Sequence, residues 1–191
     1  MHAASAHRGR IVFLTLGLVS LVFTGCRNPT NVGAYGQYSR SGRIAEERGD
    51  LLMARHEYSR ALWNARAGWL GPKAEATALY DWSRITGYLG GYAEAEQGFR
   101  EVLQLIGRSK GQAQELEAPA LCERARLLFD TRQFDKAVPA FETAVSALEK
   151  RGAPHEDPIG FAEFLDDYSA ALRAVDLAAR ADEVAQQSAA I

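Results

Sequence analysis

The sequence predicts an all-α protein, an α-solenoid in which about four antiparallel helix hairpins stack side by side. Three observations lead there. Alanine and leucine are abundant while alternating Val-Ile-Thr stretches are nearly absent, so the chain favours helix over sheet. Four segments share one pattern of small and aromatic residues, set 41, 42 and 44 residues apart. Short turn-like links such as "GGY" and "TRQF" join paired helical stretches. With 191 residues, 47% hydrophobic and 24% charged, the chain is long enough for one domain with a sizeable core.

The first element is an address. Ile11 to Phe23 gives 13 uncharged residues behind Arg8 and Arg10. A membrane-spanning helix needs roughly 20 apolar residues, so the run fits the core of a signal peptide instead. It ends in "VFTGC", with apolar Val22 and Phe23, then small Thr24 and Gly25, directly before Cys26. This resembles the lipobox of bacterial lipoproteins, although Phe23 stands where leucine is commoner. The resemblance implies cleavage after residue 25 and acylation of Cys26. It also implies a chain anchored by several acyl chains to the cell envelope. Arg27 in place of aspartate implies passage to the outer membrane, facing the periplasm. The plainer alternative is an ordinary secretion signal with an incidental cysteine.

Residues 26–37 read as the lipidated cysteine followed by a flexible tether. "RNPTNVGAYGQ" (27–37) is rich in Gly, Asn, Pro and Thr. Fully extended, it reaches at most about 35–40 Å. Once Cys26 is acylated only Cys122 remains, so no disulfide can form in the folded part and packing alone must hold it.

Residues 38–191 carry the repeat. Its second helices are "RGDLLMARHEYSRALWNA" (48–65), "LGGYAEAEQGFREVLQLI" (89–106), "TRQFDKAVPAFETAVSAL" (131–148) and "VDLAARADEVAQQSAAI" (175–191). Each aligns a small residue at Ala54, Ala95, Ala137 and Ala181. Four positions on stand Tyr58, Phe99, Phe141 and the weaker Ala185, and three further on Ala61, Val102, Ala144 and Ser188. Offsets of four and seven return to one helical face, so the small residue admits a partner helix and the aromatic fills the space beside it. The helical stretches before them span Tyr38 to Glu47, Ala74 to Leu89, Leu116 to Phe129 and Ile159 to Leu172. One hairpin cannot bury its apolar face, but a stack of them makes a continuous core.

This pattern resembles the tetratricopeptide repeat (TPR), and its spacing near 42 resembles the long repeats of the kinesin light chain type. Pro139, expected in the first turns of its helix, and "GAPHEDP" (152–158) add to that likeness. The resemblance implies a protein-binding scaffold whose concave surface is formed by the first helix of each pair.

Catalytic candidates are scarce, and the sequence predicts neither enzyme activity, cofactor nor metal. HExxH, CxxC and a phosphate-binding glycine loop are all missing. His56 sits between Arg55 and Glu57 and reads as solvated, while His155 reads as a loop residue. "GYLGGY" (87–92) is a hairpin between helices, and Asp166 and Asp167 point about 100° apart on theirs. Removing residues 1–25 takes away Arg8 and Arg10 and no acid, leaving 20 basic against 24 acidic residues, net −4. No basic stripe for nucleic acid remains.

Aligning the first helices puts Arg43, Arg84 and Arg126 at one slot, with Ala170 in the fourth repeat. Tyr80, Tyr88, Cys122 and Phe129 flank that row, and Cys122 itself reads as a small packing residue. The row predicts a groove for an acidic or carboxylate-bearing protein segment, since arginine favours bidentate carboxylate contacts. The competing prediction is that these arginines pair with neighbouring acids such as Glu47, Glu123 or Asp130. A second surface is the C-terminal face near Leu172, Leu177 and Val184, open to another copy or another protein. The sequence thus predicts an envelope lipoprotein acting as a non-catalytic scaffold or adaptor. A helical envelope enzyme or small-molecule-binding lipoprotein, and a purely structural subunit, are the alternatives.

Overall fold

The computed structural model describes residues 28–191, so the signal segment and Cys26 lie outside the described residues. Among the described residues nine helices follow one another without a strand. They are α1 (Pro29–Glu47), α2 (Leu51–Ala67), α3 (Pro72–Tyr88), α4 (Tyr92–Arg108), α5 (Glu117–Asp130), α6 (Phe134–Lys150), α7 (Ala153–Glu156), α8 (Pro158–Arg173) and α9 (Ala178–Ala189). The pairs α1/α2, α3/α4, α5/α6 and α8/α9 pack as hairpins, and α2, α4 and α6 lean on α3, α5 and α8 of the next pair. This is the all-α hairpin stack that the repeat predicts.

Hairpin closure rests on two facing rows of small residues. On the second helices Ala54, Ala95, Ala137 and Ala181 are all 0% exposed. On the first helices Gly42, Ser83, Ala125 and Ser169 are buried at the same 41-, 42- and 44-residue spacing. Each row packs toward the face that carries the other. A Cβ on Gly42 would lie 2.7 Å from the Tyr58 ring, one on Gly98 would lie 2.0 Å from Ser83 Oγ, and Ser169 Oγ donates to the Ala181 carbonyl at 3.0 Å. Beside this contact the predicted aromatics Tyr58, Phe99 and Phe141 are almost wholly buried, each contributing about 1.5–3 kcal/mol of transfer free energy.

The core is continuous because its clusters overlap. Trp82 packs against both the first cluster (Tyr58, Ile85) and the second (Phe99, Val102), and Leu103 packs against both the second and the third (Phe141, Phe164).

All four hairpins turn in one geometry. The amides of Asp50, Gly91, Gln133 and Leu177 reach back to the carbonyls of Ala45, Thr86, Leu128 and Leu172 at 2.9–3.0 Å. The residue before each of these amides lies at positive φ: Gly49, Gly90, Arg132 and Asp176. This is the helix-ending motif that glycine suits best, yet the last two turns impose it on side chains.

Three expectations need correction. The stretch 29–37 is not a tether: Asn28 caps α1 by accepting from the Thr30 amide, Pro29 occupies the first turn, and Tyr35 packs on the core. Its glycines face open space on a helix already fixed by those contacts. Pro139 stands in the second turn of α6, not among the amides that lack helical partners, so it removes one bond to the Asp135 carbonyl. Both residues are exposed, and water can take that carbonyl. "GAPHEDP" is not all loop, since it holds α7 and the first residue of α8, whose cap Asp157 accepts from the Gly160 amide at 3.0 Å.

Arg132→Gly relieves the left-handed backbone of the third turn without touching the core. It is expected to raise unfolding stability by about 0.5–1 kcal/mol in urea denaturation. A loss of stability would show that the Arg132 side chain, not the turn geometry, holds that corner.

Candidate functional site

The first helices α1, α3, α5 and α8 form one continuous face, with α3 touching α5 and α5 touching α8. The arginine slot recurs there in register, and three positions before it stand Arg40, Asp81, Glu123 and Asp167. One helical turn thus separates a row of arginines from a row that is acidic in three repeats.

Three recesses run along this face. The first, about 700 Å³ and open to solvent, lies between Ser39, Arg40, Arg43, Glu46, Tyr58, Asp81 and Arg84. The second, about 140 Å³, is bounded by Arg84, Tyr88, Tyr92, Glu123 and Arg126. The third, about 220 Å³, is lined by Cys122, Arg126, Asp157, Phe161 and Phe164. Arg84 and Arg126 are therefore the partitions between neighbouring recesses.

Both partitions are tied down. Arg84 grips both carboxylate oxygens of Glu46 on α1, with Nη2 to Oε2 at 2.8 Å, and Tyr58 donates its hydroxyl to the same carboxylate at 2.9 Å. Arg126 Nε donates to Asp167 Oδ2 on α8 at 2.9 Å while its guanidinium lies 5.3 Å from the Phe164 ring centre. Each arginine bridges two repeats, so the charges join the stack as well as lining it. Arg43 makes only a 3.5 Å exposed pair with Glu47 one turn on, which contributes little. Arg40 makes no ion pair among the described residues.

Titration follows from these partners. The Arg84 hydrogen bonds hold the Glu46 carboxyl below the usual carboxylate range, against the opposing effect of partial burial. Asp81 has no hydrogen bond or ion pair of its own among the described residues. Burial pushes it up to about 6, with Arg84 opposing the shift and Glu46 reinforcing it. Burial also raises Glu123, against the attraction of Arg84 and a 3.4 Å hydrogen bond from Tyr88. The Cys122 thiol is pushed up to about 12 by burial, so it stays protonated and fits the packing role read from the sequence.

The remaining expected groove residues divide. Tyr88 is 56% exposed and stands in the second recess beside Arg84, 5.7 Å from its guanidinium. Tyr80 turns inward against Phe99, ring centres 6.1 Å apart, and lines none of the three recesses. Phe129 is packed edge-on between Phe134 and Phe141 at 5.6 and 6.1 Å, in the core rather than on the groove. On the C-terminal face Leu172 is fully buried and Val184 packs on the core, so of that trio only Leu177 is exposed.

Asp81, Tyr92 and Asp167 were not expected on this face. A second alignment, three residues upstream of the arginines, picks out both acids. Tyr92 is the first residue of α4 and stands half exposed in the second recess. His56 is solvated as read, with 62% of its side chain exposed. Among the described residues no three His, Cys, Asp or Glu side chains converge as a metal site.

The fold and its repeat register define a TPR-like α-solenoid. Among solved structures the chain is similar to BtubC (BKLC) from P. vanneervenii, with TM-score 0.72 and 19% identity over 81% of this chain and 61% of that one. It is also similar to a Podosopora anserina protein described as a kinesin light chain with nearly identical TPR-like repeats. There the TM-score is 0.64 and the identity 17%, over 82% of this chain and 73% of that one. This chain thus spans about three-fifths of the length of BtubC. No family model and no curated protein matches the sequence.

A raised carboxyl works against folding at neutral pH. In the window between about 4 and 6 the folded chain holds the Asp81 proton that the unfolded chain has lost, so its contribution is greatest below that window and fades as pH rises through about 6. Asp81→Asn removes this slope and is expected to stabilise the chain at pH 7 by about 1–2 kcal/mol in urea titrations. Equal stability of both chains at pH 4 and 7 would contradict the burial of an ionisable Asp81. Glu46, shifted the other way, loses its contribution only below its ordinary range, and both chains share that behaviour.

Proposed function

We propose that this chain is a lipid-anchored bacterial envelope scaffold, non-catalytic, which holds a protein partner along the face of α1, α3, α5 and α8. The observation that carries this reading is the run of three recesses in repeat register, partitioned by Arg84 and Arg126. A line of depressions, one after another along the stack, suits an extended polypeptide, whose side chains fall at regular intervals. One compact substrate would fill the first recess and leave the other two unused.

The partner chemistry follows from what the face leaves unpaired. Arg84 and Arg126 already hold Glu46 and Asp167, so a purely acidic segment would have to displace them. The groups open to a partner are Arg40 and the weakly paired Arg43, the Tyr88 and Tyr92 rings, and the half-buried Asp81 carboxyl that lines the first recess. A segment of mixed charge answers all of them, and its cation would lower the raised Asp81. The anchor is supported by the lipobox resemblance at Cys26. No described helix is long and apolar enough to cross a membrane. Placement in the outer membrane rests on Arg27 alone.

A photo-crosslinking side chain in place of Tyr88 tests the groove in intact cells. It is expected to give one adduct of defined mass, and the same group in place of exposed Leu52 on α2 is expected to give none. Equal adduct patterns from the two positions would remove the groove from the account.

A further inference from the structure

The largest exposed apolar side chains lie at one end of the first hairpin. Trp69 is 80% exposed and Trp63 is 66% exposed. Trp69 is moreover held at φ 52°, in the turn between α2 and α3. A bulky side chain in left-handed backbone is costly, and glycine would remove the strain. Among the described residues neither burial nor a hydrogen bond of the Trp69 indole explains its presence. Water alone is a poor environment for two indoles on one edge.

The chain enters the fold at this same end. The Asn28 amide donates to the Gly68 carbonyl at 3.4 Å, one residue before Trp69. Asn31 Nδ2 donates to Asn64 Oδ1 at 3.4 Å, one residue after Trp63. Helix α1 begins at Pro29, so no long tether separates the fold from Cys26. Two residue steps lie between Cys26 and Asn28, a reach of about 7 Å. A lipid on that sulfur therefore brings the Trp69 turn within the headgroup layer, which is about 5–8 Å deep on each side of a bilayer.

We propose that Trp63 and Trp69 form a membrane-seating edge, whose indoles enter the headgroup layer of the bilayer that holds the Cys26 lipid. This rests on the lipoprotein reading. Tryptophan favours that layer because its ring is apolar while its N–H finds polar partners there. The edge fixes orientation: Trp69 lies in an inter-repeat link, and a stack of antiparallel hairpins puts its inter-repeat links on one edge, so that edge faces the bilayer and the helices stand up from it. The recess at Arg40 and Asp81 then lies in the hairpin nearest the lipid, with the other two farther along the stack.

The test uses the full chain, purified from bacterial membranes in detergent and returned to phosphatidylethanolamine–phosphatidylglycerol vesicles containing brominated phospholipid. Bromine quenches only indoles within the bilayer surface, and the third tryptophan, Trp82, packs between two core clusters. The wild type is expected to lose roughly half of its tryptophan emission, and the W63F/W69F chain almost none. Both replaced side chains are exposed, so circular dichroism should match the wild type. Mass spectrometry of the Cys26 peptide is read in parallel. An acylated Cys26 with equal, weak quenching in both chains overturns the edge and leaves the anchor standing; the tryptophans would then serve a protein partner. An unmodified Cys26 with no quenching overturns the anchor and the edge together.

Discussion

The close approach of two helices at facing small residues is the constraint on which the rest depends. Gly42, Ser83, Ala125 and Ser169 on one helix of each pair pack toward the face of the other that carries Ala54, Ala95, Ala137 and Ala181. Gly42 lies against Tyr58, Ser83 against Gly98 and Ser169 against Ala181. With side chains no larger than serine at the crossing, backbones come near enough for Ser169 to hydrogen-bond the Ala181 carbonyl directly. The large residues are displaced to one turn beyond, where Tyr58, Phe99 and Phe141 fill the wedge between hairpins. Since the crossing recurs every 41–44 residues, every hairpin presents the same face in the same direction.

That common direction makes the charged face. The residue after each first-helix notch is the arginine slot, and two before the notch stands the acidic row. Packing the small residue inward necessarily turns these neighbours outward toward the adjacent repeat. Arg84 and Arg126 then find acids on α1 and α8 and become part of the stack. The recesses between them are by-products of the repeat geometry, set between successive first helices. Arg84 and Arg126 both line the recesses and join the repeats, so reversing either charge would disturb the stack as well as the face.

The hairpins, their order and their second-helix notches were legible in the sequence, because alanine and aromatic residues four apart report packing directly. The first-helix notch was less visible: Gly42, Ser83, Ala125 and Ser169 share size but not identity. The turns were only half visible, because Gly49 and Gly90 announce a left-handed corner while Arg132 and Asp176 adopt it under the pull of tertiary packing. The tether was misread for a related reason. Glycine and proline in 27–37 suggest a linker, yet Asn28 and Pro29 are a helix start, and Tyr35 and Tyr38 supply the contacts that outweigh weak propensity. Of the groove, the arginine row was visible as a register. Its pairing to Glu46 and Asp167 across repeats was not, because it depends on how far one hairpin is shifted against the next.

Leucine placed in turn at Ala54, Ala95, Ala137 and Ala181, with urea unfolding of each chain, bears most directly on the notch. Each is expected to lose about 1–3 kcal/mol, most at the central Ala95 and Ala137 and least at the terminal Ala181. Leucine at exposed Ala93, two residues from Ala95 on the same helix, is expected to change stability by less than about 0.5 kcal/mol. Equal, small effects at Ala93 and Ala95 would mean that the helices do not meet where the repeat places them, and the common face would lose its physical basis.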